Sequence, residues 1–219
     1  IIFICQVFHP NQSSTSQLFS PVMKKLADEG HDIKVLCGFS GSSGPGSLLS
    51  NEIWEKIAVK RCGIEIDHKR SIFFRGIAYL SFLVHVLVHL CFYCRKADIW
   101  FGVTNPPFNV WIMHIASKIC RTKAKKVFML LDLHPEGLIA LGKVRSSSSV
   151  VAVWRKINRL AYQATDRIIV LGRDMIPVIS SEYDILSEKI SYVPHWSAVS
   201  PRRPLQFSES KRAASFEYF

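Results

Sequence analysis

Hydrophobic and polar positions along the chain switch repeatedly between two periods. Residues 1–7 form a short apolar run suited to a strand buried on both faces. A polar break follows at His9-Pro10-Asn11-Gln12-Ser13-Ser14. Leu18, Val22, Leu26 and Ala27 then recur at helical spacing, and Gly30 supplies a C-terminal cap. A second apolar run over 32–37 completes a strand–helix–strand unit. Residues 38–50, rich in Gly and Ser, read as a loop, and 57–66 as a third strand. A long apolar helix is predicted over 72–94, broken in composition by Arg75, His85 and His89. Strands at 98–103, 126–131, 166–171 and 189–193 alternate with helices at 108–120, 138–143, 150–165 and 174–181, with a serine-rich linker at 145–149. This alternation predicts an α/β fold: one doubly wound, Rossmann-like parallel sheet with helices on both faces. Periodicity stops near Ala198, so the domain is expected to occupy 1–197, with 198–219 a truncated or unrelated tail.

Composition narrows the picture. With 219 residues and 48% hydrophobic content, the chain is long enough for one large domain with a real core. Its net charge of +11 favours anionic partners. The basic residues are scattered, with no basic stripe interleaved with aromatics, so nucleic acid is not expected as a partner. The expected partner surface is an anionic membrane. The 72–94 helix is near the length of a membrane span. Arg75, His85 and His89 make a lipid-buried span costly, leaving a core helix or a helix lying on a bilayer. Six cysteines sit mostly within apolar runs, as buried free thiols do. Cys91 and Cys94 form a CxxC without a second pair, and His85 and His89 lack an intervening acid, so no metal site is expected. The chain opens at Ile1 inside a strand-like run, so a native start is expected to be missing; no signal-peptide pattern is present.

The candidate chemistry is concentrated in Asp132-Leu133-His134-Pro135-Glu136, directly behind the apolar run at 126–131. A buried strand ending in acid, imidazole and acid puts three titratable groups at the carboxyl edge of the sheet, where open α/β folds bind ligands. The same segment also reads as a plain strand exit stopped by Pro135. No G-x-G-x-x-G stands between a strand and a helix, so a dinucleotide fingerprint is absent.

Five segments in order resemble the N-terminal domain of family 4 glycosyltransferases, which have the two-domain GT-B fold. They are Phe8-His9-Pro10 with the run from Ser16 to Gly30-His31-Asp32-Ile33-Lys34-Val35-Leu36; Asp98-Ile99-Trp100 with Thr104-Asn105-Pro106-Pro107; Asp132-Leu133-His134-Pro135-Glu136 with Ala140-Leu141-Gly142; Ala164-Thr165-Asp166-Arg167 through Gly172-Arg173-Asp174-Met175; and Lys189-Ile190-Ser191-Tyr192-Val193-Pro194-His195-Trp196. The resemblance is to bacterial transferases of exopolysaccharide or lipid-linked sugars. Its opening loop departs from the family, with Asn11, Gln12, Ser13 and Ser14 where many members carry glycines.

The resemblance implies the acceptor-binding half of a retaining transferase that moves a sugar from a nucleotide-sugar to a glycan or lipid-linked acceptor. The donor-binding domain with its Glu-x7-Glu motif would be missing or supplied by a separate chain, and the isolated chain would be inactive. It assigns acceptor and sugar contacts to Asn11, Gln12, Ser13, Ser14, Thr104, Asn105, Asp132, His134, Glu136 and Arg173, with no catalytic residue and no metal. No cofactor is implied, the nucleotide-sugar being the donor substrate. The implied location is cytoplasmic, peripheral on the inner face of the plasma membrane. The alternative reading is a non-catalytic Rossmann-like binding or scaffold module that pairs with a separate donor-binding chain.

Overall fold

A computed structural model describes residues 1–39, 48–65 and 71–196. The loop residues 40–47 and the tail from 198 to 219 lie outside the described residues. The first apolar run forms β1 (Ile2–Ile4), the helical stretch α1 (Ser14–Asp28) and the second run β2 (Lys34–Gly38). There follow β3 (Asn51–Trp54), β4 (Ile57–Cys62), α2 (Ile72–Phe92), β5 (Ile99–Val103), α3 (Asn109–Cys120) and β6 (Lys125–Leu130). The chain continues through α4 (Glu136–Ala140), α5 (Ser149–Gln163), β7 (Arg167–Val170), α6 (Met175–Tyr183) and β8 (Ile190–Tyr192).

The strands form one eight-stranded sheet in the order β3-β4-β2-β1-β5-β6-β7-β8. All pairs are parallel except β3 with β4, so the α/β reading holds with an antiparallel edge added. The hairpin at that edge escapes sequence reading for a physical reason. Its two turn residues, Glu55 and Lys56, both take positive φ (48° and 67°), a conformation usually signalled by Asn or Gly. Tertiary contacts hold it instead. Glu55 pairs with Lys24, and Lys56 with Asp28 at 3.2 Å, both from α1. The buried Arg61 guanidinium pairs with Glu52 at 2.7 Å and donates to the carbonyls of Leu49 and His9. It thereby ties the hairpin to the loop that opens α1.

Helices cover both faces. Successive packing of α2 on α3, α3 on α5 and α5 on α6 makes a row over one face, around Trp100, Phe128, Leu90 and Tyr183. The other face carries α1, whose Phe19 and Met23 pack with Phe3 of β1 and Val35 of β2. Trp196 closes over α1, its ring 5.5 Å from that of Phe19 and its indole N–H donating to the Leu18 carbonyl. All six cysteines are free, and among the described residues no cluster of His, Cys, Asp or Glu could hold a metal. The imidazoles of His85 and His89 bond back to the carbonyls four residues earlier in α2.

Two local features set how closely these layers pack. Gly63 has φ +91°, and a Cβ there would meet the Phe82 backbone at 2.9 Å, so only glycine lets the end of β4 lie against α2. Behind β6, the Glu136 carboxylate accepts from Arg155 at 3.1 Å and from the Tyr183 hydroxyl at 2.5 Å, tying α4, α5 and α6 together. Burial, then the hydrogen bond from Tyr183 to Glu136, push this phenol well above its ordinary range, so it remains a donor.

Two outcomes are expected in urea denaturation. Gly63→Ala should lower the unfolding free energy by about 1–3 kcal/mol, because both the positive φ and a backbone contact oppose the methyl group. Gly102→Ala should cost less, since the obstacle there is the Met113 Sδ, the flexible end of a side chain. Tyr183→Phe and Glu136→Gln should each cost about 1–3 kcal/mol by leaving a buried partner unpaired, whereas the exposed Asp132→Asn should stay within about 0.5 kcal/mol.

Candidate functional site

The connection order creates the site. From β1 the chain moves outward through β2 to β4, then crosses back as α2 so that β5 pairs with the other side of β1. Loops after β1 and β5 therefore leave in opposite directions, opening a crevice at the carboxyl edge. Parallel pairing brings the loops after β6, β7 and β8 to the same edge.

A cleft of about 420 Å³ lies there, lined by Ser14, Thr15, Thr104, Asn105, Asp132, His134 and His195, with Leu18, Pro107, Leu131 and Leu171 as its apolar walls. Five of the ten sequence-predicted residues thus meet in one place: Ser14, Thr104, Asn105, Asp132 and His134. Their duties differ. The Thr104 hydroxyl donates to the Met129 carbonyl at 3.1 Å and accepts from the Leu131 amide at 3.0 Å, so it clamps β5 to β6. Asn105 donates to Thr15 Oγ1 at 3.3 Å, bridging the β5 exit to the start of α1. Asp132 is exposed and has no hydrogen-bond or ion-pair partner among the described residues. It leaves a carboxylate available to a hydrogen-bond donor of a ligand.

His134 is positioned from behind. Asn158 donates to its carbonyl at 2.7 Å and is itself held by the Trp111 indole N–H at 2.6 Å. The imidazole lies 6.3 Å from the Trp154 ring, and its Nδ1 is buried without a hydrogen-bond partner. A buried ring nitrogen left unpaired in a cleft wall can bond a ligand hydroxyl.

The other five predicted residues lie elsewhere. Asn11 and Ser13 line a second, larger cavity beside the cleft. Asn11 Oδ1 accepts from the Ser13 amide at 2.7 Å, shaping the entrance to α1. Gln12 is exposed, its carbonyl accepting from Gln17. Glu136 is engaged by Arg155 and Tyr183, with its side chain only 13% exposed. Arg173 is exposed and stacks its guanidinium 5.1 Å above the Tyr192 ring. None of these last three lines either cavity.

Sequence reading missed Thr15, His195 and the supporting pair Asn158 and Trp111. His195 directly follows the last strand, a position that could have signalled it. Asn158 carried no signal, because it sits mid-helix in α5 and reaches His134 only through the packing of α5 on α3.

No family model matches the chain. Over 197 residues it is 21% identical to the probable glycosyltransferase WbjE of Pseudomonas aeruginosa, covering 90% of this chain and 47% of that protein. The crystal structure of WaaG, a glycosyltransferase involved in lipopolysaccharide biosynthesis, superposes with a TM-score of 0.55 at 14% identity, over 89% of this chain and 45% of WaaG. The chain thus spans about half the length of both proteins. Its eight-stranded, mostly parallel α/β sheet matches the GT-B glycosyltransferase fold of WaaG.

Proposed function

We propose that this chain is the acceptor-binding half of a retaining glycosyltransferase of family 4, transferring a sugar from a nucleotide-sugar to a glycan or lipid-linked acceptor. The observation that carries the reading is the convergence of Ser14, Asn105, Asp132 and His134 in one strand-end cleft, in a chain whose fold matches that of WaaG. Sugar transfer requires the leaving diphosphate to be neutralised, the acceptor hydroxyl to be oriented and the developing oxocarbenium charge to be stabilised. The cleft is suited to the second task. Asp132 can accept from an acceptor hydroxyl, Asn105 can bond another, and His134 can pair through its free Nδ1. In this reading, residues 1–197 form the acceptor-side domain, and a second domain or chain grips the nucleotide and its diphosphate.

The proposal includes a cytoplasmic, peripheral location on the inner face of the plasma membrane. One side of α2 packs into the core through Phe82, Val86 and Leu90. Its other side exposes Phe73, Ile77, Leu80, Val84, Val88 and Phe92 at helical spacing, with Leu80 64% and Phe92 74% exposed. The stretch Phe73–Phe92 is long and apolar enough to cross a membrane, yet its packing on α3 and β4 suits a helix lying along the surface. Neither α2 nor α3 contains Asp or Glu; Arg75 stands in the first turn of α2 and Lys118 in the last turn of α3, while Arg95, Lys96, Arg121 and Lys123 cluster just beyond the ends of the two helices. An apolar stripe with basic residues near its ends complements an anionic bilayer.

Two measurements test these statements. The 219-residue chain, incubated with a panel of nucleotide-sugars and membrane extract, should show no turnover above background; adding a donor-binding domain should restore it. Asp132→Ala or His134→Ala should then lower turnover about tenfold or more without unfolding the protein. Turnover by the chain alone overturns the division of labour, and restored turnover that ignores both substitutions overturns the cleft assignment. In flotation, the chain should bind vesicles rich in anionic lipid and release with rising salt, and Leu80→Glu with Val84→Glu should abolish binding. Equal binding to neutral vesicles would refute the electrostatic part.

A further inference from the structure

The larger cavity beside the cleft has a volume of about 950 Å³ and lies under the N-terminal half of α2. Its walls include Ile64, Tyr79, Leu80, Phe82, Leu83 and Phe108. Among its described lining residues, Arg75 is the single charged side chain. Cys62 and Tyr79 remain neutral: burial pushes each up to about 12. The far end is polar, formed by Gln6, Asn11 and Ser13, and the Ser13 Oγ is buried without a hydrogen-bond partner.

Its position is the telling feature. Ser13 lines the cavity while Ser14 lines the cleft, and Phe108 lines the cavity while Pro107 lines the cleft. The two spaces are therefore separated by consecutive residues at two points. On the opposite side, Leu80 belongs both to the cavity wall and to the exposed apolar face of α2. The cavity, with Arg75 on its wall, therefore lies between the outer apolar face at Leu80 and the polar strand-end cleft.

We propose that this cavity seats the apolar chain of a lipid-linked acceptor, with Arg75 pairing with its phosphate and the cleft receiving its sugar. The inference rests on the transferase reading and deepens it: the acceptor is an anionic lipid conjugate rather than a free glycan. Apolar walls favour an alkyl or prenyl chain, a lone guanidinium favours phosphate, and a hydroxyl without a partner favours a polar linker.

The test is calorimetric binding to the 219-residue chain, below micelle-forming concentrations and without donor. The probes are octyl, decyl and dodecyl phosphate, dodecyl maltoside and inorganic phosphate. Affinity for alkyl phosphates should rise about threefold to fourfold for each methylene added, as burial of a CH₂ predicts. Inorganic phosphate should not bind. Ala78→Trp, which fills the cavity, should weaken dodecyl phosphate at least tenfold. Arg75→Gln should weaken dodecyl phosphate severalfold and leave dodecyl maltoside unchanged. Near-ultraviolet circular dichroism checks that each variant is folded, and the chain-length series on the unsubstituted protein decides the matter should Ala78→Trp misfold. Inorganic phosphate binding as tightly as dodecyl phosphate would reassign the site to free phosphate. Affinity independent of chain length, or unmoved by a folded Ala78→Trp, would place the alkyl chain outside the cavity. Either result overturns this inference and leaves the transferase reading to its own turnover assay with a water-soluble acceptor.

Discussion

The pairing of β5 with β1 is the constraint on which the rest of the molecule depends. It requires the chain, having reached the sheet edge at β4, to return over the sheet as α2 before β5 can form. The junction is secured by Asn109, fully buried, whose amide donates to the carbonyls of Val103 and Asn105 at 3.0 and 3.3 Å, with the Ile4 carbonyl at 3.5 Å. A strand-end carbonyl that lost its donor away from water would cost about 1–3 kcal/mol. The Gln6 amide completes the junction by donating to the Asn105 carbonyl at 2.8 Å. With β1 and β5 so joined, their loops part, and the crevice between them is a consequence of connectivity.

Around that crevice the polar residues divide into those that hold the frame and those left over for a ligand. Thr104 spends its hydroxyl on β6, and Glu136 is saturated by Arg155 and Tyr183. Asp132 and His134 stand only four and two residues before Glu136, yet neither side chain is consumed in the same way. The loop after β6 turns Asp132 toward the cleft, while the start of α4 turns Glu136 into the helix layer. A frame with rigid supports and a few unsatisfied groups suits a site that must orient a bound ligand.

The helix layer serves two surfaces at once. Phe82, Val86 and Leu90 of α2 complete the core, while Leu80, Val84 and Val88 face outward. An all-round apolar helix is ordinarily buried on every side, and here one side is uncovered among the described residues. The cost of exposing such a face in water is offset only where something apolar covers it. That physical demand falls on the same helix whose inner side lines the larger cavity beside the cleft.

Most of the element order was legible in the chain because each segment carries its own periodicity. Parallel strands buried on both faces read as short apolar runs, and α1 and α5 read as amphipathic repeats. The acid-imidazole-acid cluster could likewise be placed at the carboxyl edge from its position after β6. Three matters depended on distant contacts. The β3–β4 hairpin relies on Lys24, Asp28 and Arg61 rather than on turn residues. The separation of Glu136 from Asp132 and His134 depends on Arg155 and Tyr183, 19 and 47 residues further along. The two-sided exposure of α2 depends on which neighbours it meets, because a helix apolar all round has no periodic signal to mark its inward face. Local pattern is written by spacing within a segment; the use of a side chain is settled by the partner that folding brings to it.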